Sequence, residues 1–201
     1  MSKLLLVRHG DTDLDSAQRY WGSTDVELSA AGFRQAERLR DRLATEKIDA
    51  VYSSDLKRAM VTAEIIASRH QLPVITCSEL REINFGDVEG LTFEEIGQLY
   101  PELVKSWVQR AQNFRFPSGE SSDELSNRVG KFADRLREHA EQDTILVTAH
   151  SGVLRTLMCQ LLGVEKKFRW QMRLELASLS ILEIYPETAV ITLLNDTSHL
   201  R

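Results

Sequence analysis

The sequence predicts an α/β protein: a three-layer α/β/α sandwich with a mostly parallel central sheet, an antiparallel edge strand and a helical lid insertion. Three observations predict it. Residues 4–7 are an uninterrupted apolar run and residues 144–149 a second one of similar character, the pattern of strands buried on both faces. Short extended runs alternate with amphipathic helical patterns, which implies right-handed crossovers and parallel pairing. Residues 179–185 and 189–194 flank Pro186-Glu187-Thr188, a terminal hairpin that supplies the antiparallel strand.

The elements follow in order. The first strand ends in Arg8-His9-Gly10, and residues 11–25 are polar and turn-rich, a loop with Tyr20-Trp21-Gly22 at its middle. Ser29 is an N-cap, and Phe33, Ala36, Leu39 and Leu43 form the buried stripe of the first helix. Residues 48–53 are the second strand. Ser53-Ser54-Asp55 then caps a helix over residues 56–70 with Ala59, Ala63, Ile66 and Ala67 inside. Residues 72–75 form a third strand. Residues 81–90 are turn-like and carry Glu82, Asp87 and Glu89, and a helical pair covers residues 93–99 and 101–112, with Pro101 in a first turn. With the loop at residues 116–121, residues 80–122 read as a lid inserted into a single domain of residues 1–201. A helix bearing Leu125, Val129, Phe132, Ala133 and Leu136 resumes the alternation. The second buried strand then ends in His150-Ser151-Gly152, and a helix with Val153, Leu157, Met158 and Leu161 follows.

Composition narrows the function. The chain has 201 residues, 42% of them hydrophobic and 27% charged, and a formal charge of −5. No global basic field draws it to nucleic acid or an anionic membrane, so an anionic ligand has to be held by local arginines. The two cysteines, Cys77 and Cys159, lie far apart without metal-ligand spacing, as buried thiols in a reducing cytoplasm do. The chain enters a strand at once, without the pattern of a signal peptide, and no apolar run is long enough to span a membrane. A cytoplasmic protein is the expectation.

The chemistry gathers at strand ends. Ligands of open α/β sheets bind beyond the carboxyl ends of the strands. Here two buried strands each deliver a histidine, His9 and His150, followed within two residues by glycine. Adjacent parallel strands lie about 4.8 Å apart, so both imidazoles reach one bound group. Arg8 adjoins His9, and Arg58 lies near the amino end of a helix facing the same edge. Arginine forks and helix amino ends both suit phosphate. Glu82, on the loop after a strand, is placed to act as a general acid. Asp87 and Glu89 read as exposed loop acids. On paper His9, Asp11, Glu82 and His150 form a metal set, but two arginines crowd the place and repel a cation. No glycine-rich dinucleotide motif follows the first strand.

These motifs resemble the histidine phosphatase superfamily, which includes phosphoglycerate mutase-like enzymes. The likeness runs through Arg8-His9-Gly10-Asp11-Thr12, residues 20–29 with Ala31-Gly32, residues 52–59 and 80–86, and Thr148-Ala149-His150-Ser151-Gly152, in family order over almost the whole chain. The resemblance implies that His9 is the phosphorylated nucleophile, that Arg8, Arg58 and His150 clamp the phosphoryl group, and that Glu82 donates the proton. It also implies that Asp15, Ser16, Trp21, Gly22 and Ser151 line the phosphate and substrate side. Asp15 departs from the family, where asparagine is common. An ionised carboxylate cannot donate to phosphate, so either Asp15 turns away, or Ser16 takes over, or affinity falls. The chain is similar to alpha-ribazole phosphatases of cobalamin biosynthesis and to broad-specificity phosphatases. The implied activity is hydrolysis of a small-molecule phosphomonoester such as alpha-ribazole 5'-phosphate, with mutase-type transfer as the alternative. No cofactor and no metal are expected, nor a nucleic-acid or membrane partner, and a homodimer is left open. In the lid, Trp107, Phe114 and Phe116 are expected to pack, while Arg110 and Arg115 are further candidates for substrate contact.

Overall fold

The computed structural model describes residues 2–14, 19–109 and 114–201. The order is β1 (Ser2–Arg8), α1 (Ala30–Leu43), β2 (Ala50–Ser53), α2 (Lys57–Ala67), β3 (Val74–Thr76), α3 (Phe93–Leu99), α4 (Pro101–Val108), α5 (Ser122–Leu136), β4 (Thr144–Ala149), α6 (Ser151–Leu161), β5 (Leu179–Ile184) and β6 (Ala189–Asp196). The sheet runs β3-β2-β4-β1-β5-β6. Its first four strands are parallel, and β5 and β6 complete it with antiparallel pairing.

The apolar run of β1 is explained by what lies on either side of it. Alternate side chains of a strand point to opposite faces. Leu4 and Leu6 enter a core shared with Val129 and Phe132 of α5 and Leu154 and Leu157 of α6. Leu5 and Val7 enter the other, with Leu39 and Leu43 of α1 and Ala63 and Ile66 of α2. The three layers are therefore α1/α2, sheet, and α5/α6. Truncating Leu6 to alanine is worth roughly 2–5 kcal/mol of stability by cavity formation.

Several expectations are corrected in detail. Ser29 does cap α1, its Oγ accepting from the Gly32 N–H. The buried stripe, however, is Gly32, Ala36, Leu39 and Leu43, and Phe33 is 47% exposed. Gly32 takes the inward position because α1 starts against the turn after β1: a Cβ there would stand 2.1 Å from the Asp11 carbonyl oxygen. Ser53-Ser54-Asp55 does not cap α2; its N-cap is Leu56, without a side-chain bond. A 3₁₀ turn, Ser78–Leu80, leads into residues 80–122, which hold a second, Gly86–Val88, then α3 and α4, and Leu80, Ile83, Phe85, Ile96 and Phe116 join the core under α5 and α6. A further 3₁₀ turn, Lys166–Gln171, was not foreseen.

What positions the site is the pairing of β1 with β4. Their register sets Arg8 beside Ala149, so the next residues, His9 and His150, leave the sheet side by side.

Candidate active site

The two imidazoles meet at the carboxyl edge with ring centroids 5.0 Å apart. Their backbones are fixed from both sides. The His9 N–H donates to the Ala149 carbonyl (3.0 Å), and the His9 carbonyl accepts from the Ala177 N–H (3.0 Å). The turn at Gly10 is tied to α2, because the Gly10 N–H donates to Thr62 Oγ1 (3.2 Å), which itself donates to the Arg58 carbonyl (2.7 Å).

The hydrogen bonds select the tautomers. His9 Nδ1 lies 2.7 Å from the Gly10 carbonyl. A carbonyl can only accept, so Nδ1 carries the proton and Nε2 keeps its lone pair. Burial first, then the charges of Arg58 and Arg8, hold the His9 pKa well below the usual imidazole value. His150, fully buried, accepts from Arg58 Nε at Nδ1 (3.2 Å) and lies 2.9 Å from Ser54 Oγ at Nε2. Burial, Arg58 and then His9 depress its pKa as well. Both rings are neutral near pH 7.

Arg58 is 1% exposed, far from a solvated helix charge. Its Nη1 and Nη2 donate to the carbonyls of Thr24 (2.8 Å) and Gly22 (2.7 Å). Gly22 has to be glycine, since a Cβ would come within 1.9 Å of the Ile83 carbonyl. Arg8 reaches back through Nη1 to the Leu174 carbonyl (2.7 Å). Glu82 sits half-buried at the start of α6, Oε2 accepting from the Gly152 N–H (3.0 Å) and Oε1 from the Ile83 N–H (3.0 Å). Ser151 is the first residue of α6, and its carbonyl accepts from Arg155 Nε (3.0 Å). Trp21 lies against Gly90 and donates through Nε1 to the Leu14 carbonyl (3.3 Å).

Thus Arg8, His9, Arg58 and His150 converge, with Glu82 tied to the helix that follows His150. Asp15, Ser16 and Arg110 lie outside the described residues. Arg115 does not face the site; it bonds the Gly119 carbonyl and Glu124. Phe114 and Phe116 are buried, and Trp107 packs on both, in line with the packing expectation.

Glu89 corrects a sequence reading. It is half-buried, and its carboxylate accepts from the backbone and hydroxyl of both Ser23 and Thr24. Burial opposes its charge, but these bonds outweigh burial and hold the pKa below the usual carboxylate value. Glu89 thereby secures the loop whose carbonyls grip Arg58. A serine-threonine pair beside the loop glycine was the only trace of this in the sequence. Ser54, Thr62 and Arg128 were also missed as supports. Among the described residues, no group of three or more His, Cys, Asp or Glu side chains is disposed to hold a metal ion, and no helix is long and apolar enough to cross a membrane.

Comparisons with known proteins agree with this geometry. The family model of the histidine phosphatase superfamily (branch 1) matches residues 4–197. Phosphoserine phosphatase 1 of Hydrogenobacter thermophilus is 36% identical over 200 residues, covering 100% of this chain and 95% of that protein. Adenosylcobalamin/alpha-ribazole phosphatase of Escherichia coli is 34% identical over 194 residues, covering 96% of each. The crystal structure of the alpha-ribazole phosphatase from Shigella flexneri superposes with a TM-score of 0.88 at 33% identity, covering 96% of both chains. With a neutral histidine in the field of two arginines at a strand end within the matched residues, this chain is a phosphatase that belongs to branch 1 of the histidine phosphatase superfamily.

Proposed function

We propose that the protein hydrolyses a small phosphomonoester in two steps through a phosphohistidine on His9. The observation that carries this reading is the His9 tautomer: with Nδ1–H given to Gly10, the free lone pair is on Nε2 of a neutral ring. In the first step that lone pair forms the N–P bond as the P–O ester bond breaks. The electron pair leaves with the ester oxygen, which takes a proton from Glu82. Positive charge developing on the imidazole is stabilised by the Gly10 carbonyl. Arg8, Arg58 and His150 stabilise the non-bridging oxygens, which is where catalysis of phosphoryl transfer mostly lies. In the second step water attacks phosphorus, Glu82 recovers a proton from it, and the N–P bond breaks to release phosphate and neutral His9.

Support for this assignment comes from five side chains of the expected types drawn together from β1, α2, the segment after β3 and the start of α6. The remaining candidates among the described residues, Trp21, Gly22 and Ser151, adjoin the same edge through the loop that holds Arg58 and the first turn of α6. Residues 80–122 act, in this reading, as the part that encloses the leaving group. Alpha-ribazole 5'-phosphate and phosphoserine are the esters suggested by the relatives' names and belong in the first substrate screen.

The test is direct. The native protein should release inorganic phosphate and, quenched during turnover, carry an acid-labile, base-stable phosphate. His9→Ala should lose both, by at least about 10³-fold in rate, as expected for loss of a nucleophile. An alanine variant that still turns over at an appreciable fraction of the native rate sinks the assignment. Isomerised product without free phosphate would instead identify a mutase.

A further inference from the structure

Two neighbouring turns at the sheet edge stand outside the reaction scheme, and one holds the other. Residues 174–178, just before β5, grip the end of β1 at three points. The Leu174 carbonyl accepts from Arg8 Nη1 (2.7 Å), the Ser178 carbonyl accepts from the Arg8 N–H (3.2 Å), and the Ala177 N–H donates to the His9 carbonyl (3.0 Å). Ala177 is fully buried and has a φ of 53°, a left-handed conformation that a residue with a side chain keeps only where its surroundings impose it.

What imposes it comes from the end of β6 and the turn beyond. In the β5–β6 pairing Leu179 faces Asp196 and Ile181 faces Leu193, so Ser180 alone stands opposite both Leu194 and Asn195. That extra residue makes a β-bulge, which re-aims a side chain. Asn195, with a φ of 55°, donates its N–H to Ser180 Oγ (3.0 Å) and accepts from the Glu175 N–H at Oδ1 (2.6 Å). Four residues on, His199 Nε2 lies 3.0 Å from the Ala177 carbonyl. A carbonyl can only accept, so Nε2 carries the proton and donates it. Nδ1 of the same ring is buried with no hydrogen-bond partner among the described residues, a cost to stability, and the one bond the ring makes falls on the residue that holds His9. The turn around His199 is anchored in its own right. Asp196 accepts from the N–H and the hydroxyl of Ser198 (3.0 Å each) and pairs with Arg42 of α1 (3.2 Å), while Leu200 packs against the core on the α1 side.

We infer that Asn195 and His199 are positioning residues for phosphoryl transfer: from behind the 174–178 turn they set where the Arg8 guanidinium and the His9 backbone stand. The path has two branches. One runs from His199 through Ala177 to His9, the other from Asn195 through Glu175, next to the Leu174 carbonyl that orients Arg8. Both act through the turn rather than on the substrate, and the inference rests on the phosphatase reading above.

The experiment follows kcat/KM for p-nitrophenyl phosphate, whose good leaving group needs little help from a proton, so the rate reports on Arg8 and His9 rather than on Glu82. His199→Leu, which removes the donor to Ala177, should lower kcat/KM by about tenfold and weaken inhibition by orthovanadate in the same proportion, as a small misplacement of reacting groups does. His199→Gln, which can still offer that carbonyl an N–H, should recover both to within about threefold of the native values. Asn195→Gly keeps the left-handed backbone and removes only the acceptor. It should show the same paired loss, and it carries the test if His199→Leu does not fold. Backbone amide resonances of His9 and Ala177 should shift in His199→Leu and return in His199→Gln. A turn that only stabilises the fold would lower the melting temperature of the variants and leave kcat/KM and vanadate affinity unchanged. That result overturns this inference alone, as does an equal loss in His199→Leu and His199→Gln. Native protein without activity on the ester overturns the phosphatase reading and this inference together.

Discussion

His9 and His150 are neutral for a reason that has a measurable consequence. Each is buried beside Arg58, and each has its folded pKa pushed well below the usual 6.5. The unfolded chain takes up these protons near pH 6.5 while the folded chain refuses them, so the unfolded state binds more protons and stability falls with falling pH. The contribution is fully present above 6.5 and is lost progressively down to the depressed folded values, at up to about 1.4 kcal/mol per pH unit for each ring. Urea melts at pH 7 and pH 5.5 should show the loss, and a His9→Asn variant should show less of it. In NMR titrations the ring resonances of both histidines should keep their neutral positions through pH 6.5; a midpoint there for either one contradicts the account. Glu82 carries a second consequence. Glu82→Gln should slow hydrolysis of alkyl phosphates by a factor on the order of 10² or more and that of aryl phosphates with good leaving groups far less, because only the former need a proton. Equal slowing would make Glu82 a structural cap on α6.

Among the elements, α5 has a role its pattern did not announce. Arg128 donates through Nη1 to the carbonyls of Glu79 (2.8 Å) and Arg81 (2.6 Å) and through Nη2 to that of Glu82 (3.2 Å). Glu120 in turn accepts from its Nε (2.6 Å) and Nη2 (2.9 Å). One side chain thus pins the backbone on both sides of the proposed proton donor. Arg128→Met should reproduce the leaving-group dependence of Glu82→Gln at reduced size, about tenfold on alkyl phosphates, and the double variant should be little slower than Glu82→Gln alone. Multiplicative losses in the double variant would show that Arg128 acts elsewhere. Arg128 also marks where the sequence stops being readable. Strand ends with His-Gly steps and the spacing of Val129, Phe132 and Leu136 are local patterns, and β4 and the α5 stripe came out as read. Phe33 misled because an apolar residue next to the stripe looks like part of it, while the inward place went to a glycine that lets Asp11 approach. Arg128 and Glu89 each find partners far along the chain, and a lone charge gives no sign of them until the chain is folded.

At the scale of the whole molecule, the site is a junction between the two halves of the core. His9 leaves β1, whose side chains enter both cores; Arg58 comes from α2, packed on the α1 side; Glu82 and His150 belong to the α5/α6 side. The segment before β5 joins in through the Leu174 and Ser178 carbonyls, which accept from Arg8, and through Ala177, which donates to His9. A ligand gripped by Arg8, Arg58 and His150 therefore adds to the bonds that already join these elements across the sheet edge, and it can bind only the folded chain. Linkage then sets the size of the effect. Orthovanadate, a probe with the shape of the phosphoryl group in transfer, at about 100 times its dissociation constant should add roughly 2.7 kcal/mol. For a domain of this length that raises Tm by about 5–10 °C. Arg58→Gln should remove most of the rise, because the folded state then loses the cation that bridges α2 to His150 and to the anion. A variant at the surface, such as Arg137→Gln, should keep it, its partner Asp134 being exposed and remote in the fold from the strand ends. If vanadate raises Tm equally in native and Arg58→Gln protein, the ion is held somewhere other than this junction.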